Sequence, residues 1–180
     1  MTTTLSLATE LERLATALEG DSTGTSGVSL AGIAERIAKN LGVRTGEIAI
    51  LGVSNKWRHL HFLVPEALKQ VGFIPLSSPS AVAARTARES RPEIINNFAA
   101  VRHTSVFEGV KTSGESGELI QKLISAPILS GEKVVGVIQV SRKGADAKSS
   151  GPDFTTDDLG GLLALCKPLG KLLRCVGAEE

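Results

Sequence analysis

Tyrosine is absent from this chain of 180 residues, and tryptophan and methionine occur once each. Even with five phenylalanines, aromatic residues make up only 3% of the sequence. A platform that stacks nucleic-acid bases needs several exposed rings, so that class is disfavoured. An excess of one charge is missing too. Twenty basic residues against 19 acidic ones leave a formal net charge of +1, too small a field to recruit DNA or an anionic membrane. No apolar run nears the ~20 residues that cross a bilayer. The opening MTTTLSLATELERL lacks the basic start and unbroken apolar core of a secretory signal. The expectation is a soluble, cytoplasmic protein with neither nucleic acid nor membrane among its partners.

Cysteine is scarce, and its placement excludes more than its number does. Cys166 and Cys175 both fall in a C-terminal segment with helical apolar spacing. Their nine-residue separation sets them on nearly opposite helix faces, about 13 Å apart along the axis. A disulfide needs Cα atoms within about 7 Å, so these two do not pair within one helix. Without a CxxC pair or a histidine nearby in sequence, no metal site is expected. The G-x-S-x-G, G-x-G-x-x-G and Walker patterns are absent as well. No catalytic residue is therefore assigned, and the protein is not expected to be an enzyme.

What is present is ample apolar material: 42% hydrophobic residues against 22% charged suffice for a real core. The densest signal is KLISAPIL, then SGEK, then VVGVIQVSRK, from Lys122 to Lys143. Two strand-length apolar runs joined by a Gly-containing turn read as an antiparallel hairpin. Val137 projects to one face, Ile138 and Val140 to the other, so the hairpin belongs in a sheet covered on both sides. EIAILGV (Glu47 to Val53) and WRHLHFLV (Trp57 to Val64) read as a second hairpin, with Leu60, Phe62 and Val64 on one face. Leu7, Leu11, Leu14 and Leu18 form a leader helix over residues 1–20, and DSTGTSG over 21–27 is a linker. Leu30, Ile33, Ala34, Ile37, Ala38 and Leu41 form a second helical stripe, which Gly42 ends. Ser78 to Ser90 is helical, Glu93 to Asn97 extended, and Ser105 to Val110 a short helix before the surface loop Lys111 to Glu118. In FTTDDL, Thr155 caps a last helix whose buried stripe is Leu159, Leu162, Leu163, Cys166, Leu169 and Leu173. Pro168 should kink or break that helix.

Three segments in this order, AVAARTARESRPEIINN, the LISAPIL–SGEKVVGVIQVSRK hairpin and FTTDDL, resemble the GAF family of small-molecule sensory domains. The resemblance spans residues 28–176. It implies an α+β fold, GAF-like and related to PAS. A central antiparallel sheet is covered by the N- and C-terminal helices on one side and by a loop and short-helix pocket lid on the other. It also implies a non-catalytic sensing or signalling domain that acts alone or through a partner protein. The alternatives are a dimerisation or interaction scaffold without ligand, or cyclic-nucleotide binding. Relatives that reduce free methionine sulfoxide, or attach a bilin, use cysteines near the pocket, and neither cysteine here precedes Cys166. Relatives that bind cyclic nucleotides carry an Asn-Lys-Phe-Asp arrangement that this chain lacks. Haem would have to use His59, His61 or His103. No cofactor is assigned.

On covered strands, polar residues at alternate positions need hydrogen-bond partners, which a ligand can supply. The expected ligand wall is therefore His59 and His61 from one strand with Ser125, Gln139 and Ser141 from the central hairpin, and Asn96 and Asn97 closing the rim. The ligand itself is an unidentified small molecule. A homodimer is expected through the leader and C-terminal helices, where Gly160-Gly161 allows close approach. The alternative is that the leader folds back on its own domain.

Overall fold

The computed structural model describes residues 3–20, 30–64, 72–79, 81–98, 119–146 and 148–176. Its elements are α1 (Thr3–Gly20), α2 (Leu30–Leu41), a 3-10 turn (Thr45–Glu47), β1 (Ile48–Ser54), β2 (His59–Val64), β3 (Phe73–Pro75), α3 (Val82–Glu89), β4 (Glu93–Ile95), β5 (Leu119–Ser130), β6 (Lys133–Gly144) and α4 (Thr156–Val176). The strands form one six-stranded sheet in the order β3-β2-β1-β6-β5-β4. Every neighbouring pair is antiparallel. The linker and the segment holding the expected Ser105–Val110 helix, the Lys111–Glu118 loop and His103 lie outside the described residues.

The β5–β6 hairpin is the backbone of this sheet, as its two long apolar runs require. It turns through Gly131, whose φ of 65° is one that glycine adopts without strain. Each face of the sheet has its own core. On one, Ile48, Ile50, Ile124, Ala126, Ile128, Ile138 and Val140 meet α1, α2 and α4. On the other, Ala49, Leu51, Leu60, Phe62, Leu123 and Val137 meet Ala81, Val82, Ala83 and Ala84 of the α3 segment. The chain is thus an α+β fold with a helix layer on one side and the α3 segment on the other. Leu60 and Phe62 share the α3 side as expected, but Val64 joins the helix-side core. A register shift between Ile50 and Leu51 turns the end of β2 over, and period-two counting has no means of registering it.

The helix layer corrects two readings. α4 runs through Pro168 as one element. Its buried side is wider than one stripe: Leu165 and Leu172 are fully buried, whereas Leu163 is 39% exposed. The cause is that α4 packs against both the sheet and α1, and two neighbours need two buried flanks. α1 lies within its own chain, with Leu7, Leu11 and Ala15 in the shared core, and Glu12 paired with Lys171 of α4 and Glu10 with Arg36 of α2. This is the fold-back arrangement of the leader. At the start of α4, the Thr155 N–H donates to Asp158 Oδ2 at 2.9 Å and the Asp158 N–H to Thr155 Oγ1 at 3.2 Å, the reciprocal cap that the sequence carries.

Candidate functional site

Sheet register lines up Glu93, Ser125, Gln139 and Ala49 as adjacent residues across β4, β5, β6 and β1. Gln139 and Ser125 are fully buried, in the middle of the sheet. α3 lies over this row, and its alanines let it approach closely. It supplies partners to the first two members. Arg85 grips Glu93 with two bonds, Nε to Oε1 at 2.6 Å and Nη2 to Oε2 at 2.9 Å, and this contact raises the arginine's pKa. Thr86, also fully buried, reaches Ser125 at 2.7 Å.

The hydroxyl protons in this cluster can be assigned by elimination. Thr86 Oγ1 donates its one hydrogen to the Val82 carbonyl at 2.9 Å, so Ser125 must be the donor in the Ser125–Thr86 bond. Ser125 Oγ can then only accept, and it accepts from Gln139 Nε2 at 3.2 Å. The amide of Gln139 is thereby oriented, since the reversed amide would set oxygen lone pairs against oxygen lone pairs. Its Oε1 is buried and has no hydrogen-bond partner among the described residues. The next residue in the row, Ala49, offers only a methyl group. A buried carbonyl oxygen without a donor costs about 1–3 kcal/mol.

The remaining expected residues separate from this row. Ser141 lies on the same face of β6, at the 3-10 end, and donates to the Glu47 carbonyl at 3.2 Å. Asn96 acts as a clamp: its Nδ2 donates to the Phe154 carbonyl at 3.0 Å and its Oδ1 accepts from the Phe154 N–H at 2.8 Å. Asn97 is exposed. His59 and His61 are not brought to the row. They pair with Ser54 and Gly52, on the opposite face of the sheet from Ala49 and Gln139. There His59 stacks on Phe73 at 4.1 Å, and the His61 ring covers Gly52, where an added Cβ would lie 3.0 Å from the imidazole. Thr86, Arg85 and Glu93 are the site residues that sequence reasoning missed. The available signal was that Thr86 is the one hydroxyl on the buried side of an alanine-rich helix.

No group of three metal-ligating side chains occurs among the described residues. Cys166 sits in the helix-side core, away from this row, and burial pushes its thiol up to about 12. Arg88 and Arg91 are also engaged, Arg88 with the carbonyls of Leu76 and Ser78 and Arg91 with Glu89. Arg85, Arg88 and Arg91 therefore each have a partner within the chain.

A family model described as the GAF domain matches residues 28–172. The chain belongs to the GAF family. Solved GAF domains share its fold. One is that of a phosphoenolpyruvate-protein phosphotransferase from Acinetobacter, 17% identical, covering 94% of this chain and 93% of its own at a TM-score of 0.62. Another, from a phosphoenolpyruvate-protein phosphotransferase of Coxiella burnetii, is 9% identical and covers 98% of each chain at 0.66. fRMsr of Staphylococcus aureus in its reduced form, 16% identical, covers 92% of this chain and 94% of its own at 0.51. The GAF fold thus serves enzymes as well as regulatory domains. No curated protein matches the chain. The α3-covered row of this GAF domain is where polar chemistry reaches the middle of the sheet.

Proposed function

We propose that this GAF domain is a non-catalytic sensor whose small-molecule ligand donates an N–H or O–H hydrogen bond to Gln139 Oε1 beneath α3. The oriented, donor-less amide oxygen carries this reading. Every other side-chain polar group in the row has a partner, Glu93 and Ser125 from α3 and Gln139 Nε2 from Ser125, and this one faces a neighbour with only a methyl. Ser141, farther along the same face, and Asn96 at the sheet edge frame the row without entering it. The histidines belong to the opposite face and have no part in this reading.

Catalysis of the fRMsr kind is disfavoured by the thiols. Cys166 is buried in the other core with its pKa raised, and the attacking species in thiol chemistry is an accessible thiolate. In this reading a homodimer would use the outward side of α4, around Gly160, Leu163 and Ala164, because Leu7 and Leu11 are buried inside the chain.

The test is a thermal-shift panel of small polar metabolites, amino acids, nucleobases and polyols among them, run on the wild type and on Gln139→Met. Methionine keeps the volume and removes the orphan oxygen. Apo Gln139→Met should be as stable as the wild type or up to about 1 kcal/mol more stable. Compounds that stabilise the wild type should lose their effect on it. A panel in which nothing shifts the wild type, or in which every hit, neutral compounds included, stabilises both proteins equally, would overturn the reading in favour of a scaffold.

A further inference from the structure

An opening lies where the β1–β2 turn, the segment after β3 and the last turn of α3 meet the start of β6. It is a cleft of about 890 Å³, within the ~300–1,000 Å³ that small-molecule sites occupy. Its charged lining is Arg58, Arg88 and Lys133, and no acidic side chain lines it among the described residues. The side chains of Arg58 and Lys133 have no ion-pair partner among the described residues. Arg88 is held in place by the Leu76 and Ser78 carbonyls, both bonded to Nη1, which leaves its Nε and Nη2 hydrogens over. Between the cations the wall is mainly apolar, with Val53, Leu76, Ala87 and Val134 beside Asn55 and Ser77, and Trp57 stands at the margin with 64% of its surface exposed.

Local backbone geometry holds this arrangement. Arg58 has a φ of 53°, a left-handed conformation uncommon for a residue with a side chain. It is fixed by the Leu76 N–H donating to the Arg58 carbonyl at 3.1 Å, and by the Trp57 N–H donating to Ser54 Oγ at 3.3 Å. Glycine or asparagine would occupy such a turn position more easily. Here an arginine is kept there, beside two other cations and without a counter-charge.

We propose that this cleft is a second binding site, taking a small organic anion with a flat apolar body. Its acid group is held by Arg58, Arg88 and Lys133, and its ring lies along Trp57 and the apolar wall. Three cations without an acid repel one another, and an anion removes that repulsion while forming charge-assisted hydrogen bonds. The apolar wall selects against bare phosphate or sulfate, and the cleft's size favours a small molecule over a polypeptide. The site is separate from the row beneath α3 and does not depend on the reading given for Gln139.

Trp57 is the chain's one tryptophan, so the fluorescence has a single origin at the margin of this cleft, and the Arg58 and Lys133 variants assign the bound dye to it. The probe is anilinonaphthalene sulfonate, a flat apolar anion, followed by energy transfer from Trp57 in the intact chain. Saturable transfer is expected, displaced by benzoate or phenyl phosphate but not by benzyl alcohol or benzylamine. Arg58→Gln with Lys133→Gln should weaken binding by at least about tenfold with the thermal midpoint unchanged, because both side chains are exposed. Arg58→Glu with Lys133→Glu should abolish it. Absence of transfer, displacement by benzyl alcohol as readily as by benzoate, or undiminished affinity in the glutamine pair would each overturn the proposal. Displacement by an acidic peptide or by inorganic phosphate but not by benzoate would overturn the assignment to a small apolar anion. Gln139→Met should leave all of these responses unchanged, which separates failure here from failure of the sensor reading.

Discussion

Two of the glycines in α4, Gly160 and Gly170, have surroundings that predict opposite outcomes for the same substitution. At Gly160 an added Cβ would meet nothing within 4 Å. Gly160→Ala should therefore show the bare helix propensity, a gain of about 1 kcal/mol. At Gly170 the added Cβ would lie 1.9 Å from the carbonyl oxygen of Leu129 and 2.9 Å from its carbon. Both atoms are backbone, so no rotamer change relieves the overlap. To restore an ordinary separation the helix must retreat from β5 by about 1.5 Å, loosening Leu169, Leu172 and Leu173 together. Overpacking of this kind costs ~1–3 kcal/mol or more, against the same gain in propensity of about 1. The contact with backbone places Gly170→Ala at the upper end, a net loss of about 2 kcal/mol. For a chain of this size that is a fall in melting temperature of about 4–8 °C, beside a rise of about 2–4 °C for Gly160→Ala. Urea unfolding of both variants, with m-values compared to show that the denatured state is unchanged, measures the difference. A Gly170→Ala protein as stable as the wild type would refute the close seating of α4 on β5.

Asn96→Ala should cost about 1–3 kcal/mol in the same assay, because it strands the Phe154 N–H and carbonyl at the entry to α4. In a Cys175→Ser background, Cys166 should resist iodoacetamide at neutral pH until the chain unfolds, and rapid native labelling would contradict its burial. Its thiol is raised from 9.0 to about 12, so the folded state keeps the proton longer than the unfolded one. The associated stability is present below pH ~9 and is lost as pH rises from there towards ~12, and replacement by alanine should flatten that part of the stability profile.

The parts of this fold that were legible in sequence are those where one periodicity faces one environment. The stripe of α2 has a single buried side, and Ile33, Ala34, Ile37 and Ala38 are buried as its spacing requires. The β5–β6 hairpin is apolar on both faces and is covered on both. The reciprocal cap at Thr155 and Asp158 is local, so it too is readable. Where an element meets two partners, or a register shifts, the pattern no longer suffices. α4 buries Leu165 and Leu172 because α1 flanks it. Gly170, not Gly160, is its close-approach residue, and which glycine meets a carbonyl depends on the tertiary path of β5. β3 is three residues long and carries no period of its own.

The candidate site divides the same way. Alternation correctly set Ser125, Gln139 and Ser141 on one covered face, since they lie on two directly paired strands. Grouping the histidines with them required knowing how β2 registers on β1, and its pairing with Ser54 and Gly52 sends both imidazoles to the other face. Thr86 escaped notice because its partner is 39 residues away in sequence. Yet that hydroxyl decides the whole proton assignment of the row.

The two faces of the sheet are coupled by the hairpin that carries them both. Ser125 lies between Ile124 and Ala126, and Gln139 between Ile138 and Val140, all four of which belong to the helix-side core. α4 is seated on this hairpin at backbone distance on both strands, at Leu129 through Gly170 and at Gly136 through Leu173, whose Cδ1 would lie 2.7 Å from a Cβ at that glycine. Contacts this close leave little free volume to absorb a strand displacement. A group bonded to Gln139 that shifts β6 relative to β5 therefore has to move α4 or strain the contact at Gly136. On the proposed sensor reading, the hairpin itself links the α3 side to the helix layer. A ligand would then displace α4 only in so far as its affinity for the displaced arrangement exceeds that for the one seen here, since equal affinity for both would shift nothing.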